Sequence, residues 1–169
     1  MRAKSSEDFV AGKTVICECR IEDLDSSIKH LWMCLAQEMF EIESITIPSE
    51  ANSNLWLNFV RDGLLKRRNI LITAKVGERI VGYALLTLPR KGTFEVQETF
   101  GVVSELYVLP DFRKRGIGKK LLEECLGRIK AEGFKSARIS ALLGDKDAIQ
   151  LYKKIGFRVF MHNLTKKLY

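Results

Sequence analysis

The 169-residue chain is 46% hydrophobic and 29% charged, with a formal net charge of +7, a composition that suits one globular domain with enough length to bury a core. No apolar run approaches the roughly 20 residues of a membrane span. Residues 1–8 carry Arg2, Lys4, Glu7 and Asp8 without the apolar stretch of a secretory leader, so the chain is expected to be cytoplasmic, with residues 1–12 disordered and residues 13–169 forming one domain.

Thr14 to Arg20 is short and β-prone, a first strand. Asp23 or Asp25 can cap a helix that runs to about Phe40, where Ile28, Leu31, Trp32, Leu35 and Met39 recur at helical spacing. Glu41 to Ala51 reads as a loop broken by Pro48, after which Asn52 or Ser53 caps a second helix to about Arg67. Asn69–Lys75 and Arg79–Leu88 flank Val76-Gly77-Glu78 as a hairpin. A polar loop at Arg90–Thr93 and the run Phe94–Thr99 lead into a strand at Val102–Leu109. From Gly116 to about Glu132, Ile117, Leu121, Leu122, Cys125, Leu126 and Ile129 form one helical stripe closed by Gly133. Ser136–Leu142 is a further strand, Gly144-Asp145 opens a short helix through Lys154, and Phe157–Met161 and Leu164–Leu168 give one or two final strands. This order predicts a mixed α/β (α+β) sheet protein.

The thiols and the charge narrow the function classes. Cys17 and Cys19 lack the C-x-x-C spacing and second ligand pair of a zinc site, and His30 and His162 stand alone, so no metal is expected. Between His30 and Val60 there is no Lys or Arg, while Glu38, Glu41, Glu43 and Glu50 fall there. The basic excess gathers at 113–120, so the chain has an anionic edge and a basic site, not the uniform basic face of a nucleic-acid binder.

That basic site is the most informative stretch. The apolar strand Val103–Leu109 runs through Pro110-Asp111-Phe112 into Arg113-Lys114-Arg115-Gly116-Ile117-Gly118-Lys119-Lys120 and a helix. A helix start leaves backbone N–H groups unpaired and partly positive, and five cations beside them suit a diphosphate. The run is not a P-loop, since Lys119 is followed by Lys120 and not Ser or Thr. Nor is it a dinucleotide fingerprint, since the third small residue is missing.

Arg113-Lys114-Arg115-Gly116-Ile117-Gly118, preceded by Leu106 to Phe112, instead resembles motif A of the GNAT superfamily of acetyl-CoA-dependent N-acetyltransferases. Asp145-Lys146-Asp147-Ala148-Ile149-Gln150-Leu151-Tyr152-Lys153-Lys154-Ile155-Gly156-Phe157 resembles its motif B, at the matching separation. The resemblance covers about Leu71 to Met161. It implies a mostly antiparallel sheet of six to seven strands with a V-shaped split and about four helices. It also implies acetyl-CoA as co-substrate, with an amine on a protein N-terminus, lysine, polyamine or small molecule as acceptor. A CoA-binding module with a sensing role is the alternative, and a homodimer is compatible with either.

By the same resemblance the diphosphate would meet Arg113, Lys114, Arg115, Gly116, Ile117, Gly118 and Lys119. The pantetheine arm would pair with Leu106, Tyr107 and Val108, with the Val108 N–H facing the thioester oxygen. Tyr152 would protonate the leaving thiolate. Glu105 is the carboxylate best placed to take the amine proton, because the position where some relatives carry a glutamate on the following strand is Ser140. Asp145 stands where the motif usually has Asn, and is either a cofactor contact or a helix cap.

Overall fold

The computed structural model describes residues 13–44, 46–89, 99–166 and 168. The expectations for residues 1–12 and for 90–98 lie outside them. Strands β1 (Thr14–Glu18), β2 (Asn69–Val76), β3 (Arg79–Thr87), β4 (Phe100–Val108) and β5 (Ser136–Ile139) form one sheet in the order β1-β2-β3-β4-β5. Every pairing is antiparallel except β4 with β5. Among the described residues four α-helices accompany it: α1 (Ser26–Glu43), α2 (Glu50–Leu65), α3 (Ile117–Ala131) and α4 (Lys146–Ile155).

Local chemistry sets these boundaries. The Asp25 carboxylate accepts from the Ser27 and Ile28 N–H groups (2.8 and 3.3 Å) and opens α1. Ser49, not Asn52 or Ser53, caps α2, accepting from Asn52 N at 3.2 Å. Asn52 already lies in the first turn, and its side-chain amide donates back to Ile47 O (2.9 Å). Gly77 takes φ 58° in the β2–β3 turn, where a side chain would be strained.

The two helical layers sit on opposite faces of the sheet, because successive strand residues alternate. Tyr83 packs edge-on to Trp56 of α2, with ring centroids 5.7 Å apart. Its neighbour Gly82 points at Leu121 of α3, and a Cβ there would lie 3.4 Å from the Leu121 side chain. Ile28, Leu31, Leu71, Ile72, Leu85, Leu86, Leu121 and Leu122 fill the two cores and are essentially inaccessible.

The expected sixth and seventh strands do not form over the described residues: Phe157–Lys166 makes no sheet ladder. β5 stops at Ile139, three residues short of the expected Leu142, so its outer edge is only four residues long. In the tail Val159 is 64% and Leu164 95% exposed, while the Phe160 ring lies under the Arg138 guanidinium of β5 at 4.5 Å without joining a ladder. Among the described residues no helix is long and apolar enough to cross a membrane.

Two features of β4 create the split. Leu85 pairs with Glu105 but Leu86 pairs with Val103, so Ser104 is an extra residue, a β-bulge. β5 accompanies β4 only from Phe100 to Val103. Beyond the bulge, Ser104 to Val108 has no strand partner on that side among the described residues.

Candidate active site

The bare edge of β4 presents specific groups. Leu109 N donates to Val81 O (2.9 Å), so residues 107 and 109 aim their backbone groups at β3. Strand alternation then turns those of Leu106 and Val108 into the split. The Val108 carbonyl is already engaged, accepting from Arg113 Nε at 2.8 Å. The Val108 N–H and both backbone groups of Leu106 remain toward the split.

At the end of that edge lies the start of α3. Lys114 (φ 59°) and Gly116 (φ 78°) take left-handed conformations that turn the chain into the helix. Gly116 is the cap residue and has no side chain to satisfy the first N–H groups. The first helical N–H to find an acceptor is that of Lys120, on Gly116 O at 3.0 Å. The groups before it have no acceptor among the described residues, an arrangement that suits an anion. Gly116 faces open space, as a close ligand approach requires, but Gly118 does not: a Cβ there would sit 3.3 Å from the Leu151 side chain of α4. Gly118 therefore serves helix packing as well. Ile117 is buried, anchoring the turn.

The cations divide. Lys114 pairs with Asp147 (2.6 Å) and Lys119 with Glu123 (3.6 Å), both well exposed and weakly held. Arg115 stacks on the Phe112 ring (5.3 Å), and no carboxylate among the described residues pairs with it. Arg113 turns the other way, and both oxygens of Glu38 on α1 receive its Nη2 (2.7 and 2.8 Å). The anionic edge expected from the sequence is correspondingly reduced, since Glu38 is neutralised by Arg113 and Glu50 pairs with Lys29.

Glu105 occupies the opposite face of β4 from Leu106, in an aromatic enclosure. Trp56 Nε1 donates to both of its oxygens (3.0 Å each), and Tyr83 Oη donates to one (2.8 Å). Trp32 stacks on Trp56 with centroids 5.8 Å apart. Among the described residues no cation pairs with Glu105. Burial holds its carboxyl above the usual range, opposed by the hydrogen bonds from Tyr83, Trp56 and Trp32. Burial, with the Glu105 charge adding to it, keeps the Tyr83 phenol protonated. The sequence singled out Glu105 but not Tyr83, whose place beside it depends on strand register alone. The two tryptophans pack on each other, and Trp56 also holds the carboxylate.

Tyr152 lies half-buried on α4, its ring 6.1 Å from that of Phe157. Its hydroxyl makes no hydrogen bond with any described residue. Burial chiefly, then the charge of Asp145, raises its ionisation well above the ordinary phenol, so it carries its proton at neutral pH. Asp145 caps α4, accepting from Ala148 N at 2.9 Å.

The acetyltransferase (GNAT) family model matches residues 29–157 of the chain. An uncharacterized N-acetyltransferase of Methanocaldococcus jannaschii is 28% identical over 103 residues, 60% of this chain and 45% of that protein. The ribosomal protein bS18-alanine N-acetyltransferase of Salmonella typhimurium is 27% identical over 84 residues, 48% of this chain and 57% of that one. The chain thus spans about half the length of the curated relatives it matches. The crystal structure of a mutant BH1408 protein from Bacillus halodurans superposes with a TM-score of 0.77 at 18% identity, covering 92% of this chain and 99% of that one, a likeness of fold.

Proposed function

The chain belongs to the acetyltransferase (GNAT) family, and from that premise we propose that it moves an acetyl group from acetyl-CoA to a primary amine by direct attack on the thioester. The observation that carries this reading is the split itself. A strand edge that offers both backbone groups of Leu106 and the N–H of Val108 ends at the N–H groups of α3 that find no acceptor among the described residues. An extended pantetheine arm would add to that edge as a strand does. The diphosphate would rest on the N–H groups from Lys114 to Lys119, with Arg115 nearby.

The amine nitrogen attacks the thioester carbon, and the charge that develops on its oxygen is met by the Val108 N–H. The C–S bond breaks as Tyr152 gives its proton to the departing sulfur. The proton released by nitrogen passes to Glu105, through water where the two do not touch. A carboxylate enclosed by Trp56 and Tyr83 without a counter-cation suits an acceptor that arrives as an ammonium ion and supplies the missing charge. At pH 7 a lysine-type amine is free in roughly one molecule in 10³ and an α-amine in roughly one in ten. Glu105 therefore matters more for the first kind than for the second.

The test is release of free thiol from acetyl-CoA, measured with a panel of α-amino peptides, lysine peptides, polyamines and amino sugars. Amine-dependent release is the expected result. No release with any amine, together with no thermal shift on adding CoA, overturns the proposal. No membrane or nucleic-acid partner is part of it.

A further inference from the structure

Arg113 looks from sequence like one more cation for the diphosphate. Its contacts say otherwise. Nε donates to the Val108 carbonyl (2.8 Å), and Nη2 donates to both oxygens of Glu38 (2.7 and 2.8 Å). Tyr107 Oη donates to the same Glu38 oxygen (2.9 Å), and the guanidinium lies over the Tyr107 ring at 5.3 Å. One carboxylate on α1 thus fixes the last two residues of β4 and the first residue of the turn that leads to α3. The Arg113 and Glu38 side chains are 37% and 36% exposed, where an isolated ion pair contributes little to stability. The shared oxygen, the carbonyl and the ring together fix geometry instead.

We propose that Glu38 and Arg113 form a strut that positions the bare edge of β4 for the thioester arm, and that Arg113 is not a diphosphate ligand. Glu38 is then a positioning residue. By holding Arg113 on the Val108 carbonyl it leaves the Val108 N–H and the Leu106 groups as the ones turned to the arm. The charge met by the diphosphate comes from the helix mouth, Arg115 and the exposed lysines. The inference rests on the acetyl-transfer reading, and it makes a demand that reading does not. Loss of the strut must hurt a donor that has no diphosphate at all.

Acetyl-pantetheine carries the arm and the thioester but not the nucleotide. For Arg113→Lys and for Glu38→Gln, kcat/KM should fall by the same factor, about tenfold, with acetyl-CoA and with acetyl-pantetheine. The double variant should lose no more than the worse single one, because both break one unit. Arg115→Ala should weaken acetyl-CoA alone. The KM for the amine should stay as in wild type, which separates the strut from a general loss of fold. If Arg113→Lys impairs acetyl-CoA and leaves acetyl-pantetheine unchanged, Arg113 is a diphosphate ligand and the inference falls. If Glu38→Gln changes neither donor, the strut has no role and the inference falls as well. Failure of the wild-type protein with both donors refutes instead the acetyl-transfer reading on which the strut depends.

Discussion

Tyr83→Phe removes one hydroxyl from the interior and leaves the ring that Trp56 packs against. In the parent protein that hydroxyl donates to Glu105 at 2.8 Å, beside the Trp56 N–H, which lies 3.0 Å from both carboxylate oxygens. A hydrogen bond to a charged group is worth about 1.5–3 kcal/mol, and here it favours the ionised carboxylate against the burial that opposes it. The Trp56 N–H, shared between the two oxygens, and the bond from Trp32 survive in the variant, so the lower end applies. That corresponds to about tenfold in the protonation equilibrium of Glu105. Protonated Glu105 cannot accept the amine proton, so the acid limb of kcat/KM for the amine must move to higher pH. The alkaline plateau stays near the parent value. Thiol release across about pH 5 to pH 9 in both proteins reads this directly. Glu105→Gln, measured beside it, should lose the limb altogether. An acid limb that stays in place in Tyr83→Phe, or moves to lower pH, would refute the claim that the aromatic enclosure sets the basicity of Glu105.

Glu105→Gln should also be more heat-stable than the parent at neutral and alkaline pH. Burial raises the carboxyl's folded-state pKa above its unfolded value. The folded state therefore binds the extra proton, and parent stability declines as pH rises from the unfolded value of about 4.3 through the folded one. The Tm difference should shrink toward acid, and its growth on acidification would contradict this sign. Tyr152→Phe should lower kcat about 10²-fold without changing the KM for acetyl-CoA, since a thiol of pKa about 8.5 departs tolerably unaided; an unchanged kcat would remove Tyr152 from the chemistry. Gly82→Ala would bring a Cβ to 2.7 Å from the Tyr107 carbonyl and 3.2 Å from the Val108 side chain. About 1–3 kcal/mol of stability should be lost, seen as a lower urea midpoint at constant slope.

The helices and the β2–β3 hairpin were legible because each is written locally. The α3 stripe and the Asp25 cap depend on residues within a turn or two of one another, and both appear where spacing puts them. The C-terminal strands were not legible for the complementary reason. Phe157–Met161 has strand composition, but a strand also needs a neighbour to pair with, and β5 ends after four residues. Propensity expresses what a segment tolerates, while the ladder depends on a partner distant in the chain.

The same division runs through the site. The glycine-rich turn and Tyr152 stand out as residue types at fixed spacing, whereas the surroundings of Glu105 arise from register. Without the bulge, an unbroken alternation would put Gly101, Val103, Glu105 and Tyr107 on one face of β4. The structure instead sets Gly101 against Ile129 of α3 and Tyr107 against Glu38 of α1, on opposite faces. The extra residue at Ser104 makes this exchange, so Val103 stays in the α3 core while Glu105 turns to Trp56 and Tyr83. One mark of it does stand in the sequence: Ser104-Glu105 places two polar residues in succession inside an otherwise apolar strand. A regular pleat would bury one of the pair beside α3 with nothing to bond to. The bulge spares that side chain: Ser104 is exposed and donates to Thr87 Oγ1 at 2.7 Å. The distortion that keeps the polar pair together on one face also ends the β4–β5 ladder at Val103. The split for the thioester arm and the enclosure of the carboxylate thus follow from a single inserted residue.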